Sequence, residues 1–190
     1  MTGLPPLDLA ATADPRIEGR RLYLRRLRVA DVSEAYLAWM NAPEINRYLE
    51  SRFTIHTADD LAAFVESMAH DPRNLFTGIF LKADDRHIGN IKLGPINAQH
   101  ARAEIGLLIG DSREWGKGYA EEAISAITRF AFEKVGLHRV IAGAYAENAG
   151  SARAFEKAGF TLEARLRDHW YHDGRYQDGV YLAKVNDKPS

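Results

Sequence analysis

The residues best equipped for chemistry fall in one stretch, positions 104–120, EIGLLIGDSREWGKGYA. It opens on a carboxylate, Glu104. The apolar run that follows, with Leu107, Leu108 and Ile109 at its end, reads as a buried strand. A polar loop then ends in Arg113-Glu114-Trp115-Gly116-Lys117-Gly118, and a long amphipathic pattern starts at Tyr119 and Ala120. Strand, glycine-rich loop and helix start together aim backbone N–H groups at phosphate. The first N–H groups of a helix have no intrahelical partner, and the helix dipole places partial positive charge there. Gly116 and Gly118 let the backbone approach a ligand with no Cβ in the way, and Arg113 and Lys117 add cationic donors. The same pattern also serves as a plain turn, so the loop alone does not name a ligand. Two phosphate-binding alternatives are excluded by residue identity. A nucleotide-hydrolysing loop needs Ser or Thr after Gly-Lys to hold Mg²⁺, and here Gly118 follows Lys117; a dinucleotide fingerprint needs a third glycine where Glu121 stands.

A second group of polar and aromatic residues crowds a broken helical pattern near the N-terminus: Trp39, Asn41, Glu44, Asn46, Arg47 and Tyr48. His169, Trp170 and Tyr171 form an aromatic run near the C-terminus. Aromatic clusters are more often core than pocket, but Glu44 and Asn46 fit poorly in a core, where polar groups need partners. The 190-residue chain has no cysteine, which excludes disulfides, thiolate nucleophiles and Cys-based zinc sites. Its closest histidines, His169 and His172, lie three apart on a predicted strand and so on opposite faces; no metal site is expected.

The net charge of −1 gives no sequence-wide attraction to nucleic acid or anionic membrane, although the arginines between positions 20 and 28 make a local basic patch. No stretch reaches the ~18 apolar residues of a membrane span. The N-terminus lacks the basic start and apolar core of a signal peptide. The expectation is a cytoplasmic protein, with residues 1–18 a flexible lead-in and residues 19–187 a single domain.

Hydrophobic periodicity places the elements that must position these residues. A first strand spans about 20–27. Asp31 is the expected N-cap of a helix through about Met40, and Thr57 with Asp60 resembles a capping box opening another. Strands follow at 76–82, 87–95 and 103–109. The pattern after the loop, Ala120, Ala123, Ile124, Ile127, Ala131 and Val135, is helical, and Gly136 stops it. A strand at 139–145 leads to a short helix after Asn148, and a final hairpin turns at Asp173-Gly174. The order β-αα-βββ-α-β-α-ββ predicts an α/β (α+β) domain: a mixed seven-stranded sheet with helices on both faces.

This order and loop resemble the GNAT superfamily of acyl-CoA N-acyltransferases. Residues 113–118 match the superfamily's acyl-CoA loop, Q/R-x-x-G-x-G/A, at every fixed position, between a strand and a long helix. Asn148-x-x-Ser151 with Phe155-Glu156-Lys157-Ala158-Gly159-Phe160 resembles the N-x-x-S…EK-x-GF block of the RimJ/RimL-like branch. The Ala103-Glu104-Ile105-Gly106 opening and the Tyr171–Asp178 turn resemble that branch too. The resemblance implies splayed central strands, with acetyl-CoA as co-substrate and no metal. The pyrophosphate would lie on residues 113–120 and the pantetheine between the strand edges 107–109 and 142–145, with Asn148, Ser151, Phe155 and Lys157 contributing. Glu104 is the implied general base, its alternative a solvent-facing strand-end charge. Phe155 departs from the tyrosine that many members use to protonate the leaving thiolate. Ser151 could bond the CoA sulfur instead, or simply cap its helix, as could Asn148. With no cysteine, direct transfer in a ternary complex is expected. The acceptor pocket would take Trp39, Asn41, Glu44, Asn46, Tyr48, His169, Trp170 and Tyr171. The expected partner is a small-molecule amine (an amino sugar, an aminoglycoside or a polyamine) or else a protein N-terminus, with a non-catalytic acyl-CoA-binding domain as a third reading. A homodimer is a further expectation; nucleic acid and membrane are not expected partners.

Overall fold

The computed structural model describes residues 7–187. Eight strands form one mixed sheet: β1 (Arg16–Glu18), β2 (Leu22–Arg26), β3 (Leu75–Leu81), β4 (His87–Leu93), β5 (Arg102–Ile109), β6 (Arg139–Tyr145), β7 (Thr161–His172) and β8 (Arg175–Val185). Their spatial order is β1-β2-β3-β4-β5-β6-β8-β7. Neighbours are antiparallel except β5 and β6, which run parallel. Five α-helices are described: α1 (Glu34–Asn41), α2 (Pro43–Asn46), α3 (Ala58–His70), α4 (Tyr119–Phe130) and α5 (Ala149–Lys157).

The eighth strand is a correction. β1 comes from the expected lead-in, where Arg16, Ile17 and Glu18 pair with Arg25, Leu24 and Tyr23 and Ile17 is buried. Upstream, Leu9–Thr12 forms a 3-10 turn that buries Thr12, and the Asp8 N–H bonds the Val135 carbonyl. Three residues with one apolar position are too short a pattern to read as a strand. Residues 1–6 of that lead-in lie outside the described residues.

The sheet separates two cores. The larger packs α4 and α5 against Leu24, Ile79, Ile91, Ile105 and Val140. Ala123, Ile124 and Ile127 face it from α4, which continues as a π turn over Ala131–Val135 and stops at Gly136, in the left-handed region at φ 84°. The smaller core lies on the other face, where Tyr36, Trp39, Leu61 and Val65 of α1 and α3 cover Tyr23 and Phe80. Thr57 and Asp60 cap α3 reciprocally, as the sequence predicts. α1 starts later than expected. Ser33 caps it, while the Asp31 carboxylate accepts from both terminal guanidinium nitrogens of Arg25 at 2.7 Å and from the Arg28 N–H.

The feature that makes a site is where β5 and β6 part. They pair only at Arg102–Arg139, Ala103–Val140 and Glu104–Ile141. Beyond Glu104, β5 stays bonded to β4 as far as Ile109, and β6 stays bonded to β8 as far as Tyr145. The expected splay is therefore present. Each strand keeps one partner and turns a free backbone edge toward the wedge between them.

Candidate active site

One end of the wedge is closed by the glycine loop. Gly118 starts α4 from the left-handed region, at φ 82°, and no side chain caps the helix. Gly116 is also left-handed, at φ 73°, and nothing lies within 4 Å of where its Cβ would be. Among the described residues the backbone N–H groups from Gly116 to Glu121 have no acceptor; the next, Glu122, bonds the Gly118 carbonyl at 3.1 Å. A run of free N–H groups at the positive end of a 12-residue helix is a phosphate-sized cradle.

An ionic scaffold holds this loop. The buried Glu114 carboxylate accepts from Arg86 and Lys117, each at 2.9 Å. The buried Asp111 accepts from Arg113 and, at 3.1 Å, from Arg86. Both acids are held below the usual carboxylate range, Asp111 chiefly by Arg113 and Glu114 chiefly by Lys117 and then Arg86. Glu114 thus props the loop from beneath, with both oxygens engaged, and offers no free oxygen to a ligand. Arg21 adds a contact the sequence did not flag beyond its basic patch. It bonds the Lys117 carbonyl at 2.9 Å and Glu122 at 2.8 Å, and its guanidinium lies 4.4 Å from the Tyr119 ring centre. Trp115 donates its indole N–H to the Ile109 carbonyl at 2.7 Å, tying the loop to the end of the β5 edge.

The other wall continues from β6 into α5. The Asn148 side-chain oxygen caps the Ser151 N–H at 3.2 Å, so the capping role holds. Its amide NH₂ and the half-buried Ser151 hydroxyl have no partner among the described residues. Phe155, expected at the cofactor, is instead 1% exposed and packs edge-on against Phe160 in the large core. Lys157 is exposed at the last turn of α5.

Glu104 sits at the vertex, exposed and without a hydrogen-bond or ion-pair partner among the described residues. From β6 onward the same face carries an aromatic wall. Tyr181 is paired with Gly143, where an added Cβ would stand 3.3 Å from the Tyr181 ring and 3.6 Å from Trp170. Burial, then the Glu104 charge, pushes the Tyr181 phenol up, and its oxygen lies 3.3 Å from His169 Nε2. Trp170 stacks on Tyr145 at 4.5 Å; Tyr145 meets Tyr48 at 5.4 Å; Tyr48 stacks on His172 at 5.3 Å. Tyr145 donates to Glu50 at 2.7 Å, and its phenol is raised by burial and then by that bond. Beside this wall lies a cleft of about 470 Å³ lined by Asn41, Glu44, Asn46, Arg47, Arg52 and His172 among others. Arg52 bridges it, bonding the Leu49 carbonyl at 2.8 Å and the Tyr171 carbonyl at 3.0 Å.

The sequence-based acceptor set therefore divides. Asn41, Glu44 and Asn46 line the cleft, and Tyr48, His169 and Trp170 belong to the wall. Trp39 does not join them: it is buried in the smaller core against Tyr36 and His87. Tyr171 turns outward, 55% exposed, against Tyr176. Asn46 is buried because it has a partner, the Met40 carbonyl at 2.7 Å, and Asn41 is spent on Leu37 and His56. The acceptor set read from the sequence did not include Tyr145, Tyr181, Glu50, Arg52 or His172. Tyr145, Tyr181 and His172 lie on strands that the sequence reading placed, Glu50 and Arg52 on a 3-10 turn (Glu50–Phe53) that it did not, and their convergence is set by strand pairing. Among the described residues no three His, Asp or Glu side chains converge as metal ligands.

A wedge in a mixed sheet, closed by an uncapped helix and a glycine loop, defines an acyl-CoA-dependent transferase fold. The chain belongs to the GNAT acetyltransferases: the model of that family, described as an acetyltransferase (GNAT) domain, matches residues 21–161. It is similar to the uncharacterized N-acetyltransferase YoaA of Bacillus subtilis (strain 168), 32% identical over 170 residues that cover 88% of this chain and 95% of YoaA. Among solved structures it superposes on spermidine N-acetyltransferase from Vibrio cholerae in complex with CoA and spermine. There the TM-score is 0.78 at 25% identity, over 87% of this chain and 95% of that one. The fold also matches RimL, a ribosomal L7/L12 alpha-N-protein acetyltransferase in complex with coenzyme A, with TM-score 0.82 at 19% identity over 91% and 99% of the two chains.

Proposed function

We propose that this N-acetyltransferase moves the acetyl group of acetyl-CoA directly onto a small primary amine held against the aromatic wall. The observation that carries the reading is the wedge itself: free strand edges and, among the described residues, six consecutive unpartnered N–H groups at one end and an unpaired carboxylate at the other. These groups fit acetyl-CoA. The N–H groups of residues 116–121 suit its pyrophosphate, and the free edges of β5 and β6 suit the amides of pantetheine as an added strand would. When bound, acetyl-CoA supplies an activated acetyl thioester.

The chain's own residues supply the proton handling. An amine must be neutral to attack a carbonyl, and for an amine of pKa near 10.4 that costs about 4–5 kcal/mol at pH 7. Glu104, at the vertex, takes that proton directly or through one water. Ser151 and the Asn148 amide, with free donors just past the end of β6, orient the thioester end. Phe155 is buried and carries no proton, so the proton that the attacking nitrogen sheds as the C–N bond forms passes, through Ser151 or solvent, to the thiolate released as the C–S bond breaks.

A small acceptor is favoured over a protein N-terminus by the bridge across the cleft. His172 stacks on Tyr48, and Arg52 bonds the Tyr171 carbonyl, which ties the β7–β8 turn to the segment after α2. An extended peptide would need that bridge open. The test is thiol release from acetyl-CoA over a panel of small amines and N-terminal peptides. Release with peptides alone overturns the small-acceptor reading; CoA binding with no release for any amine overturns the enzyme reading.

A further inference from the structure

Resting on the proposed acetyl transfer to a small amine, we infer that Lys92 is a specificity residue that holds a carboxylate of the acceptor. The acceptor is then an α-amino acid, acetylated on its own amine. Two half-buried lysines are found among the described residues. One, Lys184, donates to the Ala158 carbonyl at 2.7 Å. The other, Lys92, has no hydrogen-bond or ion-pair partner among the described residues. A partly covered lysine whose ammonium pairs with no side chain of the described residues is free to bond an anionic group of a ligand.

Its position gives that ligand a place. Lys92 on β4 pairs directly with Gly106 on β5, two residues beyond Glu104. Side chains alternate along a strand, so Glu104 and Gly106 share a face with Leu108, which packs into the smaller core. Asn90, two residues before Lys92 on β4, meets His87 on that same side of the sheet, so Lys92 is on it too. Gly106 leaves the space above it empty: nothing lies within 4 Å of a Cβ built there. A free cation and a free carboxylate thus flank an open patch of sheet beside the vertex. One strand across (about 4.8 Å) and two residues along (about 6.8 Å) puts their Cα atoms about 8 Å apart. From those Cα positions the flexible Lys92 and Glu104 side chains can both reach an α-amino acid, whose amine and carboxylate lie about 3 Å apart and each take charge-assisted bonds of about 2.8 Å. Its amine then meets Glu104, its carboxylate meets Lys92, and its side chain runs toward Tyr181 and Trp170 on the far side of the wedge. Of the other cations on this face, Arg139 is engaged with Glu163 and Arg25 with Asp31, while Arg102, two residues before Glu104, is exposed where the strands are still paired.

The experiment compares matched acceptors: the proteinogenic amino acids, their carboxamides, putrescine and spermidine, with thiol release from acetyl-CoA as readout. The expected result is a preferred amino acid whose kcat/KM exceeds that of its amide by about tenfold or more, mostly through KM. Lys92→Met removes that preference and leaves the amide rate within about twofold, which also shows that the variant folds; Arg102→Met leaves the preference intact. Equal rates on acid and amide, a preference for the diamine or polyamine, or a preference that Arg102→Met and not Lys92→Met abolishes, each overturn the assignment while leaving acetyl transfer standing. Absence of release with any amine overturns the underlying reading and this one with it.

Discussion

Around residues 116–121 the wedge offers main-chain N–H groups from a loop whose side chains are engaged with one another. Across from it, from Tyr181 to His172, it offers side-chain rings whose backbones are engaged in the sheet. The proposed donor end is therefore built from main-chain groups that side-chain ion pairs brace from behind. The acceptor end is the reverse. A common co-substrate needs only the first kind of site, whereas selectivity among amines needs the second. The same contrast explains the charges. At the donor end Asp111 and Glu114 are paired with Arg86, Arg113 and Lys117, whereas at the acceptor end Glu104 and Lys92 stand free.

The most severe test strikes the backbone. Gly118→Trp puts a bulky side chain at φ 82° in front of the free N–H groups. We expect CoA affinity to fall by about a hundredfold or more, with a modest loss of thermal stability from the left-handed conformation. Calorimetric titration with CoA reads this directly; unchanged affinity would mean that backbone geometry at residues 116–121 does not make the donor site. Next is Glu104→Gln, which keeps shape and removes the base. A fall in kcat of about 10²–10³ is expected, with CoA affinity unchanged. Wild-type turnover would reduce Glu104 to a surface charge at a strand end.

A smaller effect comes from the scaffold beneath the loop. The folded-state pKa values of Asp111 and Glu114 are depressed, so their contribution to stability is complete above the unfolded values, about 4. That contribution is lost as pH falls through the depressed folded values. Thermal melts should therefore show a stability decline below about pH 4 that is shallower in the Asp111→Asn, Glu114→Gln double variant. At neutral pH the same variant should bind CoA several-fold more weakly, because Arg86 and Lys117 no longer brace the loop. An acid limb identical to wild type would remove these two carboxylates as its source.

How far the chain could be read before its structure follows the same division. The donor end is local: strand, loop, Gly116, Gly118 and α4 are consecutive, and Asn148 caps α5 within three residues. Local geometry is what spacing and turn chemistry encode. The acceptor end joins residues from 48 to 181, and its register depends on two irregularities in the β7–β8 pairing, at Leu162/Ala164 and Leu166/Trp170. No pattern in one sequence announces where such bulges fall. Trp39 shows the cost. It shares a helix with polar neighbours, yet its ring lies over Gly110, where an added Cβ would collide with it, and so it belongs to the core. β1 escaped for a different reason, being a three-residue edge strand that takes its order from β2 rather than from its own pattern.

The finest test asks whether the aromatic wall works through its rings or through its polar tips. Tyr145 is the place to ask, because both are present there. Its ring is stacked on Trp170 at 4.5 Å, and its hydroxyl donates to Glu50 at 2.7 Å. Tyr145→Phe keeps the stacking and deletes the bond. Glu50 is exposed and regains water, so the loss should be about 0.5–1.5 kcal/mol rather than the larger penalty of a stranded buried group. If the bond positions residues 50–53 over the cleft, that loss should appear as a rise of about threefold to tenfold in the acceptor KM, with kcat within twofold and CoA affinity unchanged. Tyr145→Leu, which deletes ring and bond together, should cost more than Tyr145→Phe by the value of the aromatic contacts, about 0.5–1.5 kcal/mol. Equal effects of the two substitutions would place the whole contribution in the hydroxyl, and the acceptor end would then be a hydrogen-bonded clamp rather than a wall of rings.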